Sequence, residues 1–306
     1  SLLVSLATTV FMGATVSVFW WALMRLLGGV ATAILFIVIS AEVAGTLVRC
    51  GRSHWLGFLF AGVGLGIALS GLLVPVFDAI SGWQGSWYGM GGLAVALAAV
   101  GLWLGRQRNL VQPDRAGKTV ARVSLEKIYL LAAAYFFEGL GYIVTATFLV
   151  AMITVTPGLE TLAPYSWVAV GCAAAPSTVA WPLLARRIGS RQALLLAYLV
   201  QGSGILVRIG ADSVVAVLYA AVTFGGTFMG IVALTLAEGN RRMPAAGGLA
   251  AAFLTASFSV GQIFGPIIAG ILADVRQGFD VPLLLATACI VLAGVAVALD
   301  RGFQRS

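Results

Sequence analysis

Charge, histidine and cysteine are all scarce in this chain. Of 306 residues, 9% are Asp, Glu, Lys or Arg and 60% are hydrophobic, with one histidine and three cysteines. Ordinary globular chains carry about 25% charged residues, so this composition leaves too little polar surface for a soluble fold. The single histidine, His54, has no companion at metal-ligand spacing, and no pair of histidines with a carboxylate, or of aspartates, gathers in one place. A metal site or a polytopic membrane enzyme needs such a cluster, so no catalytic residue, metal or cofactor is assigned. Cys50, Cys172 and Cys289 are odd in number and scattered among apolar residues. They read as small buried side chains, not as a disulfide framework. No basic segment precedes the first apolar run, which therefore does not read as a signal peptide. The net charge of +7 comes without a basic face interleaved with aromatics, which argues against a nucleic-acid partner.

What the chain has is long apolar runs. Ten of them span about 1–16, 18–48, 54–76, 87–105, 126–154, 164–185, 190–209, 213–238, 246–273 and 281–300. A helix rises about 1.5 Å per residue, so about 20 apolar residues cross a hydrocarbon core of about 30 Å. All but the first run reach that length. An all-α polytopic membrane protein with ten transmembrane helices is predicted. The cations orient it: fifteen of the eighteen Lys and Arg residues fall in alternate gaps. Arg49 and Arg52 follow the second run, and Arg106, Arg108, Arg115, Lys118, Arg122 and Lys127 follow the fourth. Arg186, Arg187 and Arg191 follow the sixth, Arg241 and Arg242 the eighth, and Arg301 and Arg305 the tenth. Short basic loops stay in the cytoplasm, which places the C-terminus there. Trp83 and Trp87 sit in an opposite loop, at interfacial depth.

The chain also resembles itself. Shifting by 199 residues superposes Gly62, Gly66 and Gly71 on Gly261, Gly265 and Gly270. A looser echo pairs Gly28 and Gly29 with Gly225 and Gly226 at a shift of 197. Near-equal shifts point to two related helical bundles. The predicted organisation is a four-helix remnant at 1–105, a cytoplasmic central loop at 106–125 and a six-helix bundle at 126–306. By the same arithmetic about two helices are expected to precede Ser1, which would complete a six-plus-six protein. A ten-helix drug/metabolite exporter is the alternative; it would place its midpoint between the fifth and sixth helices, whereas the longest polar connection here follows the fourth.

Trp21-Ala-Leu-Met-Arg25-Leu-Leu-Gly28-Gly29 resembles the fourth-helix motif of the major facilitator superfamily. Leu184-Ala-Arg-Arg-Ile-Gly189-Ser-Arg191 resembles that superfamily's loop motif in its second-half copy, with Arg186 where Asp is usual. The two glycine-rich helices resemble its antiporter-associated fifth-helix motif and the eleventh-helix counterpart, with the motif proline kept at Pro266 and replaced by Ile67. More narrowly, Phe137-Glu138-Gly-Leu-Gly141-Tyr142 and the segment from Gly261-Gln262 to Asp274 resemble the YbfB/YjiJ-type branch. The resemblance covers the whole chain as that fold's third to twelfth helices. It implies a permease of the bacterial inner membrane. The expected mechanism is alternating access on a small solute, with proton coupling favoured, export the preferred direction and a monomer the expected state.

Glu138 is the sharpest candidate residue. It lies twelve residues into the fifth run, about 18 Å along a helix and so near the midplane. A carboxylate there must be protonated, paired or wet, which makes it a proton or substrate site. Tyr142 and Thr145 follow on the same face. Arg25 is the other intramembrane charge, needing a carboxylate, carbonyls, water or an anionic solute, with snorkelling to the surface as the plain alternative. Gln201 and Gln262 are mid-helix polar groups that line a solute path or bridge helices. Gly62, Gly66, Gly71, Gly261, Gly265, Pro266 and Gly270 are expected to form a helix-packing seam between halves. Glu42, Glu238, Asp274 and Asp300, near helix ends, are expected to pair at the surface. A non-transporting membrane scaffold or receptor also fits the hydropathy, but leaves Glu138 and the repeat unexplained.

Overall fold

A computed structural model describes residues 1–50, 56–106, 125–211, 213–243 and 247–305. His54, Arg52, Asp212 and most of the 106–125 connection lie outside the described residues. Those described are all-helical apart from short connections, with no strand among them. Nine α-helices follow in chain order: α1 (Leu2–Phe11), α2 (Val18–Arg49), α3 (Leu56–Arg106), α4 (Tyr129–Thr154), α5 (Ala163–Ile188), α6 (Ser190–Arg208), α7 (Val214–Arg242), α8 (Gly247–Arg276) and α9 (Asp280–Leu299). Among the described residues, seven helical segments are long and apolar enough to cross a membrane. The count falls below the ten apolar runs for three reasons. The short first helix is set apart, the third and fourth runs form one helix, and α6 is diluted by Arg191, Gln192, Gln201 and Arg208.

α3 is not a straight rod. Its helical dihedrals break at Ser81 and at Gly82, whose φ of 65° lies in the left-handed region that glycine enters without penalty. Beyond the break the chain doubles back: the Ser86 hydroxyl donates to the Val74 carbonyl at 3.3 Å. In a straight helix those positions would be about 18 Å apart. The two arms therefore correspond to the third and fourth apolar runs.

The chain divides into two compact units, 1–59 with 69–117, and 60–68 with 118–306. In the first, α1 packs on α2 through Ser5 and Thr32, whose hydroxyls lie 3.3 Å apart. The Trp21 indole N–H donates to the Thr15 carbonyl at 2.9 Å, and its ring meets Trp83 edge-on at 5.8 Å. Most large apolar side chains of this unit point outward, including Leu3, Val16, Ile37, Ile80 and Trp103. An outward apolar coat is what lipid requires and water forbids.

The second unit holds α4 to α9. α5 packs on α7, α4 on α8 and α9, and α6 on α7 and α9. Glycine makes these crossings close. A Cβ on Gly141 would lie 2.8 Å from the Ala286 carbonyl oxygen, and one on Gly261 would lie 2.7 Å from Leu140 N. Without a hydrophobic force between helices in lipid, such backbone-to-backbone contact is the main source of packing energy. The 60–68 segment of α3 joins this unit by the same device. A Cβ on Gly64 would sit 2.7 Å from Ala175 Cα, and one on Gly171 2.6 Å from Ala68 Cα.

The glycines of the expected seam are thus placed differently from one another. Gly261 and Gly265 lie against α4, inside the six-helix unit, while Gly62 and Gly66 have nothing within 4 Å of a modest side chain. Gly71 is buried, Pro266 half-buried, and Gly270 only grazes Phe148. In the Gly62-x-Gly64-x-Gly66 run, it is the middle residue that touches a neighbour. A run with glycine at every second position offers several helix faces at once, so sequence spacing alone does not pick the one in use.

Candidate functional site

The interior of the six-helix unit contains a buried chain of polar side chains. Glu138 sits on α4, 1% exposed, in a helix whose flanking Gly139 and Gly141 let α8 and α9 approach. The Gln201 amide of α6, fully buried, donates to Glu138 Oε1 at 3.0 Å. Gln201 Oε1 in turn accepts from the Thr227 hydroxyl of α7 at 3.1 Å. Three helices are thereby tied through the one Gln201 amide. Glu138 Oε2 is buried and has no hydrogen-bond partner among the described residues, and no cation contacts the carboxyl group there.

One and two turns further along α4 come Tyr142 and Thr145, both buried. The Gln262 amide of α8 donates to the Tyr142 hydroxyl. The Tyr142 ring lies nearly parallel to Phe258 at 5.1 Å and to Phe224 and Phe228 at 6.1 Å, while Phe258 stacks on Tyr135 at 4.4 Å. Thr145 Oγ1 is another buried atom without a hydrogen-bond partner among the described residues. Glu138, Tyr142 and Thr145 therefore make a polar face on α4, walled by aromatic rings, with an orphaned oxygen at each end. Buried polar groups in folded proteins are nearly always satisfied, and each exception calls for an explanation.

The sequence-level candidates sort clearly. Glu138 and Gln201 are brought into contact, and so are Tyr142 and Gln262; all four belong to the six-helix unit. Arg25 belongs to the other unit, where its guanidinium lies over the Trp87 ring at 5.0 Å, a cation–π contact. Gly28 beside it leaves room for the Thr8 hydroxyl of α1, 2.9 Å from where a Cβ would stand. Thr227 was not legible beforehand, because threonine is common in membrane helices and carries no charge to mark it.

Glu238 and Asp300 correct the expectation of surface pairing. Glu238 is 2% and Asp300 5% exposed. Glu238 accepts from Arg241 Nε at 2.9 Å and from Arg242 Nε at 2.6 Å, while Arg242 Nη1 reaches Asp300 Oδ2 at 2.7 Å. The same guanidinium donates to the Lys127 carbonyl at 3.0 Å. The ends of α7 and α9 and the turn that leads into α4 are thus clamped by a buried ion network. Glu238 and Arg242, four residues apart, are the sequence signal for it.

Among the described residues, membrane-length apolar helices, lipid-compatible surfaces and a polar thread inside one bundle define a polytopic membrane protein. Residues 1–298 match the family model described as "Uncharacterised MFS-type transporter YbfB". The chain belongs to this family of major facilitator transporters. No curated protein matches the chain.

Proposed function

We propose that the chain is a proton-coupled secondary transporter that moves a small solute across the bacterial inner membrane by alternating access. In this reading Glu138 carries the proton, and Tyr142, Thr145, Gln201 and Gln262 form the polar wall on which proton and solute exchange. The observation that carries the reading is the pair of orphaned atoms, Glu138 Oε2 and Thr145 Oγ1, on one buried face of α4. A carboxyl group deep in an apolar bundle with one amide donor and no cation is costly to hold charged. A carrier gains from that cost: the group releases its proton when water reaches it and takes one up when the bundle closes.

Proton coupling is preferred to sodium because no set of Asp, Asn and Ser residues converges at one broken helix in the sequence. Under this proposal α6 and both arms of α3 cross the membrane with the other long helices, while α1, at 10 residues, forms only part of a tenth span; the ten correspond to helices three to twelve of a six-plus-six fold. The residues at 1–105 and 126–306 belong to its two halves, the C-terminus is cytoplasmic, and the carrier works as a monomer. In the other unit, Arg25 is read as a proton-coupling or solute-binding group, its guanidinium lying over the Trp87 ring.

Proteoliposomes adsorbed to a solid-supported membrane test the proposal. Solute pulses from a panel of metabolites and lipophilic drugs should give transient currents for at least one solute class, and Glu138→Gln should abolish them. Correctly folded protein giving no current across the panel, or Glu138→Gln giving undiminished currents, would contradict it.

A further inference from the structure

The clamp at the ends of α7 and α9 borders a pocket that the transport reading does not use. A cavity of about 840 Å³ opens there. Its walls carry four cations, Lys127, Arg241, Arg242 and Arg301, against two carboxylates, Glu126 and Asp300. Glu238 lies buried beside it, so even with that charge counted the cations outnumber the acids by one. Glu238 engages both Nε and Nη2 of Arg241 and Nε of Arg242, which fixes two guanidinium groups side by side. The Arg242 side chain is only 5% exposed, and its Nη2 has no partner among the described residues. Lys127 and Arg301 are exposed and form no ion pair among the described residues.

Two guanidinium groups held side by side, next to two exposed cations with no ion pair among the described residues, make a receptor for a phosphate oxyanion. The remainder of the wall says which phosphate. Leu130, 44% exposed on α4, and Leu299, 66% exposed on α9, stand at the same opening. The pocket lies where apolar helices end, which is the depth of lipid headgroups. A charged floor flanked by bare leucines matches an ester phosphate with acyl chains attached, and basic pockets between membrane helices bind such headgroups. We propose that this pocket binds the phosphate of an anionic phospholipid, whose acyl chains run along Leu130 and Leu299, and that the lipid reinforces the α4–α7–α9 clamp.

The test uses the full chain in a neutral detergent. Native mass spectrometry and thermal unfolding would be recorded with phosphatidylglycerol, with phosphatidylcholine of the same acyl chains, with glycerol 3-phosphate and with inorganic phosphate. Phosphatidylglycerol should be retained at least tenfold more tightly than phosphatidylcholine and should raise the unfolding temperature. The double variant Lys127→Ala/Arg301→Ala should lose that preference while unfolding like the wild type without lipid, since both side chains are exposed. Adding Arg301→Lys in place of Arg301→Ala should restore part of it. Equal retention of the two lipids, or an undiminished preference in the double variant, would overturn the proposal. So would protection by glycerol 3-phosphate or inorganic phosphate equal to that of phosphatidylglycerol, which would assign the pocket to a soluble anion.

Discussion

Gly261→Ala should damage the six-helix unit although it adds one methyl group in mid-helix. The added carbon would stand 2.7 Å from Leu140 N and 3.0 Å from Gly139 C, both backbone atoms of α4. Comfortable carbon contacts begin at about 3.5 Å, so α8 must retreat by about 1 Å. Backbone atoms in a packed helix cannot rotate aside as a side chain can. The displacement also pulls on Phe258, whose carbonyl fits into the space left by Gly139 and whose ring stacks on Tyr135 and Tyr142. Overpacking of this kind costs about 1–3 kcal/mol. At roughly 2–4 °C per kcal/mol for units of about 150–250 residues, the unfolding temperature should fall by about 2–12 °C. Gly62→Ala is the matched control, a glycine of the same repeat with open space where its Cβ would go. There the intrinsic helix preference of alanine over glycine, up to about 1 kcal/mol, is free to act, and stability should hold or rise. Thermal unfolding of the two variants in one detergent decides the matter. Equal melting temperatures would refute the argument that close α4–α8 backbone contact holds this unit together.

Other perturbations test the polar interior. Gln201→Leu removes the sole described donor to Glu138 and should cost about 1–3 kcal/mol, whereas Gln201→Leu combined with Glu138→Leu should cost less than the two singles together, as a double-mutant cycle would show. Arg242→Ala strips a buried cation from Glu238 and Asp300 and should cost about 3–5 kcal/mol in thermal unfolding. Arg241→Ala, at a side chain 42% exposed, should cost no more than about 1 kcal/mol. Trp181→Phe loses the indole donor to the Gly226 carbonyl at 2.6 Å and should lower stability by about 1 kcal/mol, with the α5–α7 packing otherwise kept.

Much of this architecture is written in hydropathy, because lipid forces every backbone group into a helix and every long apolar run into a span. The connection between the third and fourth runs was legible from the loss of apolar character around Trp83 and Trp87, and the structure puts the break at Ser81 and Gly82. Glu138 stood out for the same reason, being a carboxylate far from either end of its run. Its partners were harder to read. Gln201 and Gln262 could be named as polar groups, but which acceptor each meets depends on how α6 and α8 rotate against α4, and that is set by glycine contacts on several faces. Thr227 gave no signal at all. Glu238 was misjudged because nearness to a helix end was equated with exposure, whereas α9 and the start of α4 cover that end of α7.

The most direct measurement is solute uptake into proteoliposomes with an imposed pH gradient, using a solute that gives currents in the panel. Wild-type protein should accumulate the solute against its concentration gradient, while Glu138→Gln should exchange it downhill and ignore the pH difference. Gradient-driven accumulation by Glu138→Gln at the wild-type level would contradict the central role given to that buried carboxyl group.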